Sequence, residues 1–307
     1  MKLTLGPLAY HWPNERKRDF YARIADEAPI DTVYLGEVIC SKRAPFVEEI
    51  LPEIIERLQQ AGKTVVISTL AEVVLDRERQ ATRELVSDLA LDVEINNVAG
   101  LAQRGRNAHR VGPFLNAYNE ASIAWLAGQG ATHVCLPTEL PGKSIAIAAP
   151  AARALGLGVE VQVFGRAPLA TSSRCYHARA HNRTKDTCRF VCEEDADGMP
   201  LTTGDGAAIL RINGIQTQSE RYVALCEELA LMKAMGVTHA RLLPQDVDMV
   251  AVAKTFEALL RGEQSSSWVR ARMTEICTNR QFSNGFFHGV AGLKFIEAGA
   301  AAQGVTV

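Results

Sequence analysis

Lys63-Thr-Val-Val-Ile-Ser68, followed by Glu72 to Leu89 and then by Leu91-Asp-Val-Glu-Ile95, decides how this chain folds. The first run is β-branched and reads as a strand. The second has helical spacing with many surface charges. The third is a strand that stops at Asn96-Asn97. A strand, a helix and a strand joined by short connections make a crossover unit, which pairs its strands in parallel. The same unit recurs on either side. Strands are predicted at Lys2–Leu5, Thr32–Leu35, His133–Leu136, Gly158–Phe164, Ala208–Ile212 and Ala240–Leu243, with His109–Leu115 interrupted by Gly112-Pro113. Helices are predicted at Asn14–Ala28 with Asn14 as N-cap, and at Pro45–Gln60, Glu120–Ala127, Ser144–Leu155, Ser219–Met235 and Val247–Arg261. Strand and helix alternate about eight times. That count, and the lack of an early Gly-x-Gly-x-x-Gly, favours a closed (β/α)8 TIM-barrel-like fold over an open doubly wound sheet. Gly262–Ser267 reads as a linker, so residues 1–261 form the barrel domain and 262–307 a C-terminal appendage packed on it.

The chain has 307 residues, 47% apolar and 22% charged, with a formal net charge of -2. These values suit a globular protein and provide no broad basic field for nucleic acid. The N-terminus lacks a signal-peptide core, and the most apolar region, Ile145–Val163, is broken by Pro150, Arg153 and Glu160. A cytoplasmic protein without a transmembrane segment is expected. Seven cysteines in such a chain argue for metal binding, redox work or burial rather than a disulfide framework.

Three of the cysteines lie in an insertion after the seventh strand, spaced Cys175-x12-Cys188-x3-Cys192 among Arg, Lys, His and Asn residues. A core does not choose such surroundings, whereas a soft metal centre needs thiolates. Cys40, in Leu35-Gly-Glu-Val-Ile-Cys40-Ser-Lys-Arg43, is the best candidate for a fourth ligand. It follows the second strand. In a closed ring of eight, loops after strands two and seven open on one face, where this fold carries its chemistry. Ligand type alone leaves structural zinc and an iron–sulfur cluster both open. His177 and His181 are rival ligands, read more simply as solvated loop residues. Lys42, Arg43, Arg174, Arg179, Arg183, Lys185 and Arg189 flank the thiols and can offset their charge, with Arg43 and Arg174 the foremost second-layer candidates.

On these residues the chain resembles the collagenase-like peptidase (UbiU/UbiV) family over nearly its whole length. Further markers are Leu5-Gly-Pro7, Tyr34-Leu-Gly-Glu37, Cys40-Ser-Lys-Arg43, Ser68-Thr-Leu70, Leu115-Asn-Ala-Tyr-Asn119, Pro168-Leu-Ala170, Arg174-Cys175, Lys185-Asp-x-Cys188 and 210–216. The resemblance implies a [4Fe-4S] cluster on Cys40, Cys175, Cys188 and Cys192. It also implies a heterodimer with a UbiU-type homologue, supporting oxygen-independent hydroxylation of the ubiquinone precursor ring. A sterol-carrier-type lipid-binding protein is the implied accessory, and prephenate the implied hydroxyl donor. The chain is then one component of a hydroxylase, not a peptidase. RNA-hydroxylating relatives provide an alternative, as does a zinc-stabilised barrel. Arg166 departs from the histidine common at that position in the family.

Other residues have plainer readings. Cys135, Cys226 and Cys277 read as small buried hydrophobes. Glu37, Asn96, Asn116 and Glu139 fall at strand ends, where they serve as catalytic groups or, more simply, as loop braces. Leu225, Leu229, Met232 and Met235 form a stripe on the 219–235 helix, read as barrel packing rather than a partner site. Neither a nucleophile elbow nor His-Glu-x-x-His occurs, so a hydrolase lacks its usual signs.

Overall fold

The computed structural model describes residues 1–297; the end of the expected appendage, 298–307, lies outside the described residues. Short runs rich in Val, Ile and Leu become strands because both faces are covered, and the charged amphipathic stretches between them become the covering helices. In chain order these are β1 (Lys2–Leu5), α1 (Asn14–Glu27), β2 (Thr32–Leu35), α2 (Ala44–Glu48), α3 (Leu51–Gln60), β3 (Thr64–Ser68), α4 (Asp76–Ser87), β4 (Val93–Ile95) and α5 (Val98–Arg104). They continue with β5 (His109–Val111), α6 (Glu120–Gly128), β6 (Ala131–Cys135), α7 (Gly142–Ala154) and β7 (Gly158–Thr171). An insertion contributes α8 (Tyr176–Ala180), β8 (Met199–Thr202), β9 (Ala208–Asn213) and β10 (Gln216–Ala224). The chain then adds α9 (Leu229–Ala234), β11 (His239–Leu242), α10 (Met249–Leu260), α11 (Ser266–Ile276) and β12 (Phe282–Ser283).

Strands β1 to β7 pair in parallel in sequence order, and β11 pairs in parallel with both β7 and β1. The ring of eight is closed, so the fold is (β/α)8 TIM-barrel-like. The appendage shares the barrel's packing: Val269, Met273, Cys277 and Phe287 belong to the main apolar cluster, and β12 pairs with β10.

Several local expectations are corrected. Ser219–Met235 is not one helix. Its first part completes β10, which runs antiparallel to the second half of β7, and only Leu229–Ala234 is helical. Pairing with β7, which continues past Phe164 to Thr171, overrides the helical spacing. Cys226 accordingly sits in a turn, and Ala208–Ile212 belongs to the insertion rather than the ring. Asn14 does not cap α1; Pro13 holds that position, and Asn14 Oδ1 accepts from Lys17 Nζ at 3.2 Å. The segment 45–60 breaks into α2 and α3 next to Pro52. The predicted linker is short, because Ser265 caps α11 by accepting from the Trp268 amide.

The barrel interior is charged. On β7, Val159, Val161 and Val163 face the helices and join the main apolar cluster, while Glu160 and Gln162 take the alternate positions. The Glu160 carboxylate accepts from the Thr4 hydroxyl, from Tyr34 Oη at 2.9 Å and from Arg241 at 2.8 Å, and bonds His133 Nε2 at 3.0 Å. Arg241 also reaches Glu94 at 2.5 Å and lies over the Tyr34 ring at 4.1 Å. Four other strands therefore meet on one carboxylate. Burial pushes Glu160 up, but Arg241 and His133 outweigh it and hold the carboxyl well below its usual range.

His239, packed edge-on to His133 with ring centroids 4.6 Å apart, is held down to about 4 by burial and by the neighbouring imidazole. Unfolding restores its ordinary value near 6.5. Its contribution is therefore complete above that pH and is lost as pH falls toward 4. Urea midpoints should drop across this window, and His239→Asn should flatten the slope. An unchanged slope would assign the acid sensitivity elsewhere.

Candidate metal centre at the barrel mouth

Two segments build the centre. The first leaves β2 through Gly36, whose φ of +113° turns the chain where an added Cβ would meet Ser68 O at 2.7 Å. Glu37 then folds back. Its Oε1 accepts from the amides of Ile39 at 2.8 Å and Cys40 at 2.9 Å, which fixes the Cys40 backbone just before a 3-10 turn at Ser41–Arg43. Glu37 is thus a loop brace. Asn96 is one too, tied to Thr69 by 2.9 and 3.1 Å bonds.

The second segment follows β7. Cys175 stands at the N-cap of α8, where Sγ accepts from the Ala178 amide at 3.4 Å. Cys192 lies in a 3-10 turn at Val191–Glu193, after Arg189 and Phe190 have taken left-handed φ values of 46° and 54°. Lys42 straps the two segments together by donating to the carbonyls of Lys185 at 2.7 Å and Asp186 at 3.1 Å, just ahead of Cys188. Arg183 donates to the Cys188 carbonyl at 3.1 Å.

The four thiols lie in one electrostatic neighbourhood. Cys40, Cys175 and Cys192 are buried, and Cys188 is half-buried. Burial pushes the first three thiols up. Cys175 is pushed further by Cys40 and Cys188, and Cys192 by Cys175 and Cys188, while Arg43 opposes the rise in all three. Arg43 is 1% exposed. It donates to Ala9 O at 2.9 Å and Asn213 Oδ1 at 3.1 Å and reaches Cys192, while its Nε has no partner. Of the flanking cations, Arg43 is the buried counter-charge, Lys42 and Arg183 hold loops, and Arg174, Arg179 and Arg189 are exposed. Val38, Ile39, Ala178 and Ile215 pack with Cys175 as a separate apolar cluster, with Cys188 against it.

Sulfur spacing bears on the kind of metal. Among the described residues, the one set of three or more His, Cys, Asp or Glu donor atoms all within 4.8 Å is His177, His181 and Asp195. Among the described residues, no three cysteine sulfurs meet that limit. A tetrahedral zinc ion with Zn–S near 2.3 Å holds its sulfurs about 3.8 Å apart. A four-iron cube is larger and holds its thiolates farther apart. His177 is buried rather than a solvated loop residue, and its Nε2 bonds Asp195 at 2.8 Å.

A cavity adjoins the centre. Its floor is Glu94, Cys135 and Arg241, and Val38 and Ile39, the residues before Cys40, form part of its wall. It shares Phe114 and Thr138 with a neighbouring, wider pocket lined by Asn116, Tyr118 and Glu139. Asn116 and Glu139 therefore line the neighbouring pocket, and Cys135 lies beside buried charges rather than in a purely apolar layer. Glu94, Glu160 and Arg241 carry no motif. Their signal was a charged residue at the inward position of a strand buried on both faces.

Arg166 also lines the cavity. It is fully buried and donates to Asp197 at 3.2 and 2.5 Å, to Ser219 O at 3.0 Å and to Glu220 O, so it pins β10 and the end of the cysteine loop onto β7. No helix among the described residues is long and apolar enough to cross a membrane. Residues 18–295 match the model of a family described as peptidase family U32, and the chain belongs to that family.

Proposed function

We propose that Cys40, Cys175, Cys188 and Cys192 hold a [4Fe-4S] cluster. We further propose that the chain is a UbiV-type subunit acting with a UbiU-type homologue in oxygen-independent hydroxylation of the ubiquinone precursor ring. The observation that carries this reading is the gathering of thiols from loops after β2 and β7 into one neighbourhood: the buried Arg43 guanidinium acts on Cys40, Cys175 and Cys192, and Cys188 acts on the last two. The donor set fits the group: four thiolates make an iron–sulfur core a net anion, and Arg43 is the counter-charge within reach. Once bound, the cluster would supply one-electron transfer, since four thiolates leave no iron open to substrate.

The chain's own residues do the rest. Glu37 and Lys42 hold the two ligand loops in register. Val38, Ile39 and Ile215 keep water from the sulfurs. Val38 and Ile39 also face the cavity, so one layer of side chains separates a bound ring from the metal centre. The cations of the cavity lining, Arg166 and Arg241, are committed to Asp197 and to Glu94 with Glu160. The cavity therefore suits an uncharged ring better than a dicarboxylate donor such as prephenate. A sterol-carrier-type protein would deliver the lipid-tailed precursor.

Iron and acid-labile sulfide per chain, measured on anaerobic preparations, test the cluster. The wild type should be brown, and Cys40→Ala, Cys175→Ala, Cys188→Ala and Cys192→Ala should each lose most of both elements. Cys226→Ser, remote from the centre, should keep them. A colourless chain with one zinc, or full iron in any of the four variants, would sink the assignment.

A further inference from the structure

We infer that His177, His181 and Asp195 form a second metal site, distinct from the thiols, that takes one divalent first-row transition ion such as zinc. The site has its own geometry and does not depend on the cluster assignment. His177 and His181 are four residues apart at the end of α8, the spacing that puts two imidazoles on one helical face. Their rings stack with an interplanar angle of 14° and centroids 5.7 Å apart. Asp195 comes from the far side of the loop, three residues after Cys192, and meets His177 Nε2 at 2.8 Å. One donor atom from each of the three lies within 4.8 Å of the others. An ion with bonds near 2.1 Å needs its donors about 3.4 Å apart, so a modest closure suffices. His181 is exposed and ends its helix, and is free to supply that movement.

Two further observations point to a ligand. His177 is completely buried, and its Nδ1 has no hydrogen-bond partner, so the imidazole uses one of its two nitrogens. The carboxylate comes from the acidic run Glu193-Glu194-Asp195, which favours a cation locally. Two imidazoles and one carboxylate select zinc or ferrous iron over magnesium or calcium, which prefer oxygen alone. Three protein ligands leave a position for water or a small molecule. The placement also has a structural consequence. The site joins α8, which begins at Cys175, to the turn carrying Cys192. An ion there would fasten two of the thiol-bearing segments to each other.

The test is zinc per chain after equilibrium dialysis of the full-length, iron-loaded protein without air, with iron and sulfide counted in parallel. The wild type should hold one zinc in addition to its iron. His181→Ala should weaken zinc binding by at least ~100-fold. Asp195→Asn should do the same, because in the metal-free chain its amide oxygen can still accept from His177 Nε2–H at the place of the carboxylate, so the loop is kept and the carboxylate ligand is lost. Iron should be unchanged in both variants. A second arm uses cobalt(II) on the chain with all four centre cysteines changed to serine. The hydroxyl that replaces the Cys175 thiol keeps an acceptor at the N-cap of α8. Ligand-field absorption without thiolate charge transfer is expected. The site is overturned if wild type retains no zinc, if zinc rises only as iron falls, or if both variants bind as wild type does. In those cases His177 and Asp195 form a hydrogen-bonded clamp only.

Discussion

Arg241→Met should cost the fold about 3–5 kcal/mol, the range for removing one partner of a buried ionic group. The mutation leaves Glu94 and Glu160, at 1% and 0% exposure, without the guanidinium that bridges them. His133 remains beside Glu160, but Glu94 keeps only the Ser68 hydroxyl at 2.8 Å and a longer bond from Asn96. A loss of that size removes a large part of a typical domain's stability. Urea unfolding should show it as a lower midpoint at unchanged slope. Adding Glu160→Gln should recover part of the loss, because it removes one of the stranded charges, so the two changes are strongly non-additive. A loss under ~1 kcal/mol, or simple additivity, would mean that water reaches the carboxylates and that the network is not the barrel's interior support.

Arg43→Met should have the second large effect, on the thiols as well as on the fold. Removing the guanidinium leaves Ala9 O and Asn213 without its donors and costs roughly 3 kcal/mol. It also removes the cation that opposes the burial-driven rise of Cys40, Cys175 and Cys192. Those thiols then climb further, and alkylation of the iron-free chain at neutral pH should slow by roughly threefold for each pKa unit, the loss of thiolate being partly offset by its greater nucleophilicity. Iron retention should fall in parallel. Arg43→Lys should restore much of the alkylation rate, because the charge returns, and less of the stability, because one ammonium cannot span both acceptors. Unchanged alkylation in Arg43→Met would show that Arg43 supports the loop but not the thiol charge.

The ring was legible because each β-branched run ends in a turn and each amphipathic stretch follows within a few residues, which permits little besides parallel crossover units. The cysteine trio stood out because thiols rarely sit among arginines and lysines without a reason. Three things escaped a linear reading. Ser219–Ala224 has helical spacing on paper, yet a long β7 offers it a paired edge, and pairing wins over local preference. Glu37 and Asn96 occupied positions suggestive of catalysis, and only their partners, the Ile39 and Cys40 amides and Thr69, mark them as braces. The charged interior was hidden because Glu94, Glu160 and Arg241 lie far apart along the chain, joined by no motif.

By itself the sequence determined the strand–helix order, hence a parallel ring, and marked four cysteines as candidates for a soft-metal site at its rim. Only the tertiary structure decided which cation those thiols meet, what fills the barrel and where a ligand fits. Local order follows from nearest-neighbour periodicity and turn residues. The charge of a site, in contrast, depends on groups such as Arg43 and Asn213, which become neighbours only when the ring closes and burial raises the cost of leaving either unpaired.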